Sequence, residues 1–154
     1  MKNERQNAPS VILCIDPGPY DSAWLLWDLR HAHPIEFGLE SNLSVLYSTG
    51  LGSDHIIIEM PEDQGRSDDS LFETAFWAGR FIQYHEHYGR LWSKIYRHEV
   101  KLHLCKTVTV GDKEVRAALI QRFGKEVTKE MRYDVWSAFA LAVTFADHCR
   151  LIYR

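Results

Sequence analysis

Three acidic residues stand where a carboxylate can do chemistry. Asp16 and Glu59 end two apolar runs, and Asp134 sits in the first turns of an amphipathic segment. An ionised carboxylate is costly to bury alone, so an acid closing a core strand needs a compensating partner. Carboxylate oxygens are hard ligands suited to Mg²⁺ or Mn²⁺. Two such ions about 4 Å apart activate a water and stabilise the leaving oxygen of a phosphodiester. That chemistry requires acids converging from separate elements of a rigid scaffold. For Asp16 a simple turn start is the competing explanation, because Asp-Pro-Gly is ordinary turn chemistry. Other acids suit the task less well. Glu62, Asp63, Asp68 and Asp69 fall in a polar loop, where a solvated charge run is expected. Asp147 lies thirteen positions beyond Asp134, about 20 Å along a helix and on another face.

The elements that must position these acids follow from hydrophobic pattern. Val11 to Ile15 is apolar on both faces, the pattern of a central strand covered on two sides. Pro17, Gly18 and Pro19 turn the chain, and residues 22–28 return as a second strand. Pro34 to Leu39 predicts a third, edge strand. Ser41 or Asn42 caps a short helix through Tyr47. His55 to Met60, with three isoleucines, is the next strand, and Pro61 to Ser70 is a polar loop. Asp69 or Ser70 then caps a helix through about Tyr88. Its apolar arc includes Phe72, Phe76, Trp77 and Phe81, wider than one sheet face needs, which favours burial by a second subunit. Glu99 to Leu104 alternates and predicts another strand. Residues 113–123 form a helix closed by Gly124, and a last helix begins near Lys129. This order predicts an α/β fold, a mixed sheet with helices on both faces.

Composition bounds the function. At 154 residues, with 45% hydrophobic and 25% charged side chains, the expectation is one globular domain over 11–154 after a disordered lead at 1–10. No apolar run approaches a membrane span, and MKNERQNAPS lacks a signal-peptide core. Cys14, Cys105 and Cys149 are an odd set in apolar surroundings, which suits a reducing cytoplasm. A net charge of −3 argues weakly against nucleic acid, yet Lys and Arg recur between Arg90 and Lys129, so a local basic face is retained.

The segments ILCIDPGPYDSAWLLWD, IIIEMP, ETAFWAGRF, VKLHLCKTVTVGDKEVRAALIQRF and DVWSAFALAVTF, in that order, resemble RuvC-type Holliday-junction resolvases of the RNase H-like fold. The resemblance covers most of the chain after residue 10 and is nearest the shorter, phage-encoded forms. It implies a homodimeric, Mg²⁺-dependent (or Mn²⁺-dependent) endonuclease of branched DNA in the bacterial cytoplasm. Asp16, Glu59 and Asp134 would be its metal-binding catalytic acids, and the helix at about 70–88 its dimer contact. Many relatives carry a fourth acid where this chain has Ser137, a residue that bonds a metal-bound water but adds no charge. Some carry an aromatic wedge in the loop after the glutamate, which Pro61 to Ser70 lacks. DNA contacts are expected from Lys106, Lys113 and Arg116, which match the family's basic segment, and from Arg66 in the loop. The competing expectations are an inactive RNase H-like module that binds DNA or protein without cutting, and a broader flap or fork nuclease.

The histidines give no zinc site. His85 and His87 point to different sides of a helix, and His103 with Cys105, on one strand face, lacks a second ligand pair.

Overall fold

The computed structural model describes residues 10–50, 52–63, 65 and 68–152. Residues 1–9 of the expected lead at 1–10, and Arg66, lie outside these. Ser10 is held at the start of the first strand, its amide donating to Asp54 Oδ2 at 3.0 Å.

Five strands form one mixed sheet. They are β1 (Val11–Asp16), β2 (Asp21–Asp28), β3 (His33–Ser41), β4 (His55–Met60) and β5 (Leu91–Tyr96), in spatial order β3-β2-β1-β4-β5. The first three pair antiparallel as a meander, and β1, β4 and β5 run parallel. The β1–β2 hairpin is tight at Gly18, where a Cβ would lie 2.3 Å from the Asp21 carbonyl oxygen. Asn42 Nδ2 donates to the Gly18 carbonyl at 3.0 Å and pins the hairpin tip.

Strand alternation sorts the core into two layers. Ile12 and Cys14 of β1, Ala23, Leu25 and Trp27 of β2, Ile57 of β4 and Ile95 of β5 face one side. They are covered there by the helix α6 (Val135–Ile152), which contributes Ala138, Phe139, Leu141 and Ala142. Leu13, Ile15, Trp24, Ile56 and Ile58 face the other side. Two helices, α1 (Asn42–Ser48) and α2 (Asp69–His87), close that layer with Val45, Leu46, Ala78 and Phe81. Helices therefore lie on both faces, as expected.

α2 begins one residue earlier than predicted, because the Asp68 carboxylate takes the Leu71 amide at 3.0 Å, a cap worth about 1 kcal/mol. It buries Ala78, Phe81 and His85 and leaves Phe72 and Phe76 exposed.

Two expectations fail. Glu99–Leu104 is not a strand but the body of α3 (Arg97–Cys105). Its helix start is set by Glu99, whose carboxylate accepts the Tyr96 amide at 2.7 Å. The apolar alternation was misleading, since Val100 is buried but Leu102 is 53% exposed. The strand of this region is β5, just upstream, an edge strand whose exposed Leu91 and Trp92 hide its period. Likewise the last helix does not start near Lys129. After α4 (Asp112–Phe123) comes a single turn, α5 (Lys125–Thr128), and Tyr133, at φ 48°, separates it from α6.

Candidate active site

Strand parity brings the acids to one place. Asp16 continues the Ile12–Cys14 face of β1, and Glu59 continues the Ile57 face of β4. β1 and β4 are adjacent and parallel, with Ile15 beside Ile58. Both carboxylates therefore emerge side by side on the α6 side, at the C-terminal edge of the sheet, where open α/β sheets place their ligands. Asp134 is the residue before α6, and its carbonyl accepts the Ser137 and Ala138 amides at 2.9 and 3.3 Å. The left-handed Tyr133 turns the chain so that Asp134 meets the cleft at a helix start, a favourable position for an anion. Asp16, Glu59, Asp134 and Ser137 line one cleft of about 390 Å³, together with Glu62, Thr74, Arg97, Lys101 and Asp112.

Arg97 is the residue that sequence reasoning missed. It follows β5 directly and has the same parity as Ile95, so it enters the acid cluster from the third parallel strand. Its Nη1 donates to Ser137 Oγ at 3.2 Å and lies 3.6 Å from Glu59 Oε2. Its Nη2 pairs with Asp112 Oδ1. The sequence carries little signal for it, because β5 is an exposed edge strand and residues 99–104 imitate strand alternation.

The electrostatics are those of a poorly compensated anionic site. Burial, then the Glu59 and Asp134 charges, hold Asp16 well above the usual carboxylate range, against the opposing pull of Arg97 and a hydrogen bond with Ser137. Burial also raises Glu59, to about 7, with Asp112 and Glu62 adding to the effect and Arg97 opposing it. Glu59 Oε2 is buried with no hydrogen-bond partner among the described residues. Burial works against the Arg97 charge too, but Glu59, Asp112 and Asp16 outweigh it and raise its pKa. A buried carboxylate oxygen that lacks a hydrogen bond, beside two further carboxylates, is a donor set that fits a hard divalent cation such as Mg²⁺ or Mn²⁺.

The expected DNA contacts are spread more widely. Arg116, on α4, lies 5.9 Å over the Trp136 ring and lines a small recess shared with Asp134 and Ser137. Lys113 is exposed one turn before it. Lys106 ends α3 in the left-handed region, about 13 Å along the helix from Arg97, and its Nζ donates to the His103 carbonyl. Glu62 is not merely solvated, since it accepts the His98 amide at 3.1 Å.

His103 and Cys105 do not share a strand face. They lie on α3, where His103 pairs with Asp147 at 2.7 Å. Asp147 also takes a two-pronged contact from Arg122, at 2.6 and 2.7 Å. Among the described residues, the group of metal-type side chains with ligand atoms within 4.8 Å of one another is elsewhere: Asp28, His31 and His33. It was not foreseen. Asp28 caps a turn there, accepting the Arg30 and His31 amides at 2.8 and 3.1 Å, with its other oxygen 2.6 Å from His31 Nδ1.

No protein-family profile and no curated protein matches the sequence. Solved structures do. The chain resembles a Thermus thermophilus RuvC structure with a TM-score of 0.72 at 18% identity, over 92% of this chain and 96% of that one. It resembles T. thermophilus RuvC in complex with a Holliday junction substrate at a TM-score of 0.69, with the same identity and coverage. The chain thus has a RuvC-type, RNase H-like fold.

Proposed function

From a RuvC-type fold whose sheet edge gathers three carboxylates, we propose that this chain is a metal-dependent endonuclease of branched DNA. It would resolve four-way junctions by paired nicks as a homodimer, in a bacterial cytoplasm. One observation carries the proposal: Asp16, Glu59 and Asp134, from three separate elements, line a single cleft, with Glu59 Oε2 buried and without a hydrogen-bond partner among the described residues. The comparison protein in complex with a Holliday junction substrate supports the choice of DNA.

Asp16, Glu59 and Asp134 would hold Mg²⁺, with Mn²⁺ able to substitute. When bound, the ion supplies Lewis-acid activation of water and charge for the leaving oxygen. The protein's own contribution is orientation. Asp16 and Glu59 are fixed by adjacent strands, Asp134 by the start of α6, and Ser137 by its bond to Arg97. Lys113 and Arg116 would neutralise phosphates on the approaching arm, with Lys106 as an outer contact and Arg66 as a further DNA-binding residue. Two copies docked through the exposed Phe72 and Phe76 of α2 would present two clefts to a symmetric junction.

The test is to incubate the protein with labelled four-way junction, flap and linear duplex, with and without Mg²⁺ or Mn²⁺. Symmetric nicking of the junction, only with metal, is expected. Junction binding without any cutting would instead establish the inactive module, which the serine at position 137 favours. Phe72→Asp should shift a dimer toward monomer in light scattering. A wild-type protein that is monomeric at micromolar concentration would remove the paired-nick mechanism.

A further inference from the structure

Arg97 occupies the side of the cluster bounded by Glu59, Ser137 and Asp112. Ser137 is the one neutral residue among them and Glu59 is shared with Asp16 and Asp134, so that side offers a second divalent ion only Asp112 as a carboxylate of its own. The guanidinium already supplies a cation there. Its side chain is only 14% exposed, and it is fixed by the end of β5 and the start of α3. On the opposite side, Asp16 and Asp134 form no ion pair with any described residue, and Glu59 is the acid shared between the two sides. Asp112, the remaining partner of Arg97, has a side chain 67% exposed, so solvent weakens its hold. A planar guanidinium with several donors is well matched to a phosphate group in its place.

Resting on the nuclease reading above, we propose that Arg97 stands in for a second metal ion. The chain takes one divalent ion, through Asp16, Glu59 and Asp134, and the Arg97 guanidinium exchanges Asp112 for a non-bridging oxygen of the DNA phosphate. Arg97 is then a catalytic residue that stabilises charge on the phosphate, and Ser137 is a positioning residue that holds it.

The test is a Mn²⁺ titration of the metal-free full-length protein, with free Mn²⁺ followed by electron paramagnetic resonance, alongside thermal melts and junction cleavage. Wild type should bind one Mn²⁺ per chain. Arg97→Gln removes a positive charge beside the ion and should tighten Mn²⁺ binding at least about tenfold, while slowing cleavage on the order of a hundredfold or more. An arginine that merely propped the acids apart would give the opposite sign, weaker Mn²⁺ binding on its loss. Arg97→Lys keeps the charge and the fold and should keep one ion per chain with partial activity. It decides the matter if the glutamine variant fails to melt cooperatively. Ser137→Asp should add a second ion only in the Arg97→Gln background, because in wild type the new carboxylate pairs with Arg97. Two Mn²⁺ per wild-type chain, or weaker binding in Arg97→Gln, overturns the inference while junction cleavage by wild type keeps the nuclease reading intact. A wild type that neither binds Mn²⁺ nor cuts any DNA overturns both.

Discussion

At one end of the sheet, Asp16 and Glu59 are packed into the protein with their charges poorly compensated. At the other end, Asp28, His31 and His33 lie closer together and are satisfied, Asp28 by His31 and His33 by the Pro34 carbonyl. The register makes the opposition literal, since Asp28 pairs with Val11, the first residue of the strand that Asp16 ends. Burial lifts Glu59 to about 7, whereas the hydrogen bond with His31, helped by backbone amides, holds Asp28 down near 2. Closeness of ligand atoms is therefore the weaker guide to a site. A carboxylate that already has its hydrogen bonds has little to gain from a cation, and one buried without them has much. The 2.6 Å contact between Asp28 and His31 is also hydrogen-bond spacing, shorter than two ligands on one ion adopt.

The comparison breaks most visibly in catalysis. Asp16→Asn, Glu59→Gln or Asp134→Asn keeps side-chain shape but removes a charge that would hold the metal. Each should lower junction cleavage by about a thousandfold or more, the scale of losing a catalytic electrostatic group, with junction binding retained. A gel assay showing wild-type rates for all three would dissolve the site.

Stability should move in the opposite direction at the two ends, with pH as the lever. Glu59 has a folded-state pKa of about 7, above its ordinary 4.5. Its ionisation is penalised by the fold, and stability is lost as pH rises through that window. Glu59→Gln should therefore melt higher than wild type at pH 8 without metal, by roughly 2–3 kcal/mol, and the gap should shrink when Mg²⁺ is added. His85 is a control on the α2 side. It is fully buried, accepts Arg90 Nη1 on its Nδ1 at 2.7 Å, and is lowered by burial to about 4 from 6.5. The unfolded chain takes a proton first, so His85 costs stability as pH falls from 6.5 to 4, by roughly 3 kcal/mol at the limit. In the double variant Asp16→Asn with Glu59→Gln, where the opposing slopes of both raised acids are gone, melting temperature should fall steadily over that range. A flat profile would mean His85 is not held neutral.

The acids of the cleft were legible because each closes an element with a clear period. Five apolar residues lead to Asp16, three isoleucines lead to Glu59, and Asp134 precedes a strongly apolar helix. Arg97 was not legible, because β5 is an exposed edge strand with little apolar signal and the next segment imitates strand alternation while forming α3. Ser137 stood out only through family resemblance, and what it does depends on Arg97, a contact forty residues away. The Asp28 group escaped notice because its residues span the turn from the end of β2 to the start of β3, where spacing along the chain says little about distance. Loop acids were underrated for a related reason: Asp68 caps a helix and Glu62 holds the start of α3, and both roles are visible only once the elements are placed.

A smaller effect concerns the arm that meets DNA. Lys113→Ala with Arg116→Ala should weaken junction binding and lower the slope of log affinity against log salt by about 2, one for each lost phosphate contact. An unchanged slope would place these side chains away from the backbone.

The smallest expected effect belongs to the satisfied cluster, and it tests the comparison from its quiet side. Asp28→Asn keeps an acceptor for the Arg30 and His31 amides but gives up the charge that His31 answers. The loss should be about 1 kcal/mol of stability at pH 7. Because Asp28 is held low in the fold, the wild-type advantage is present above the ordinary carboxylate pKa and fades as pH falls toward 2. Cleavage rate and Mn²⁺ stoichiometry should stay at their wild-type values, since this turn lies at the far end of the sheet from Asp16. If Asp28→Asn instead removed a bound Mn²⁺ or slowed cutting, satisfaction of hydrogen bonds would not be what separates the two clusters.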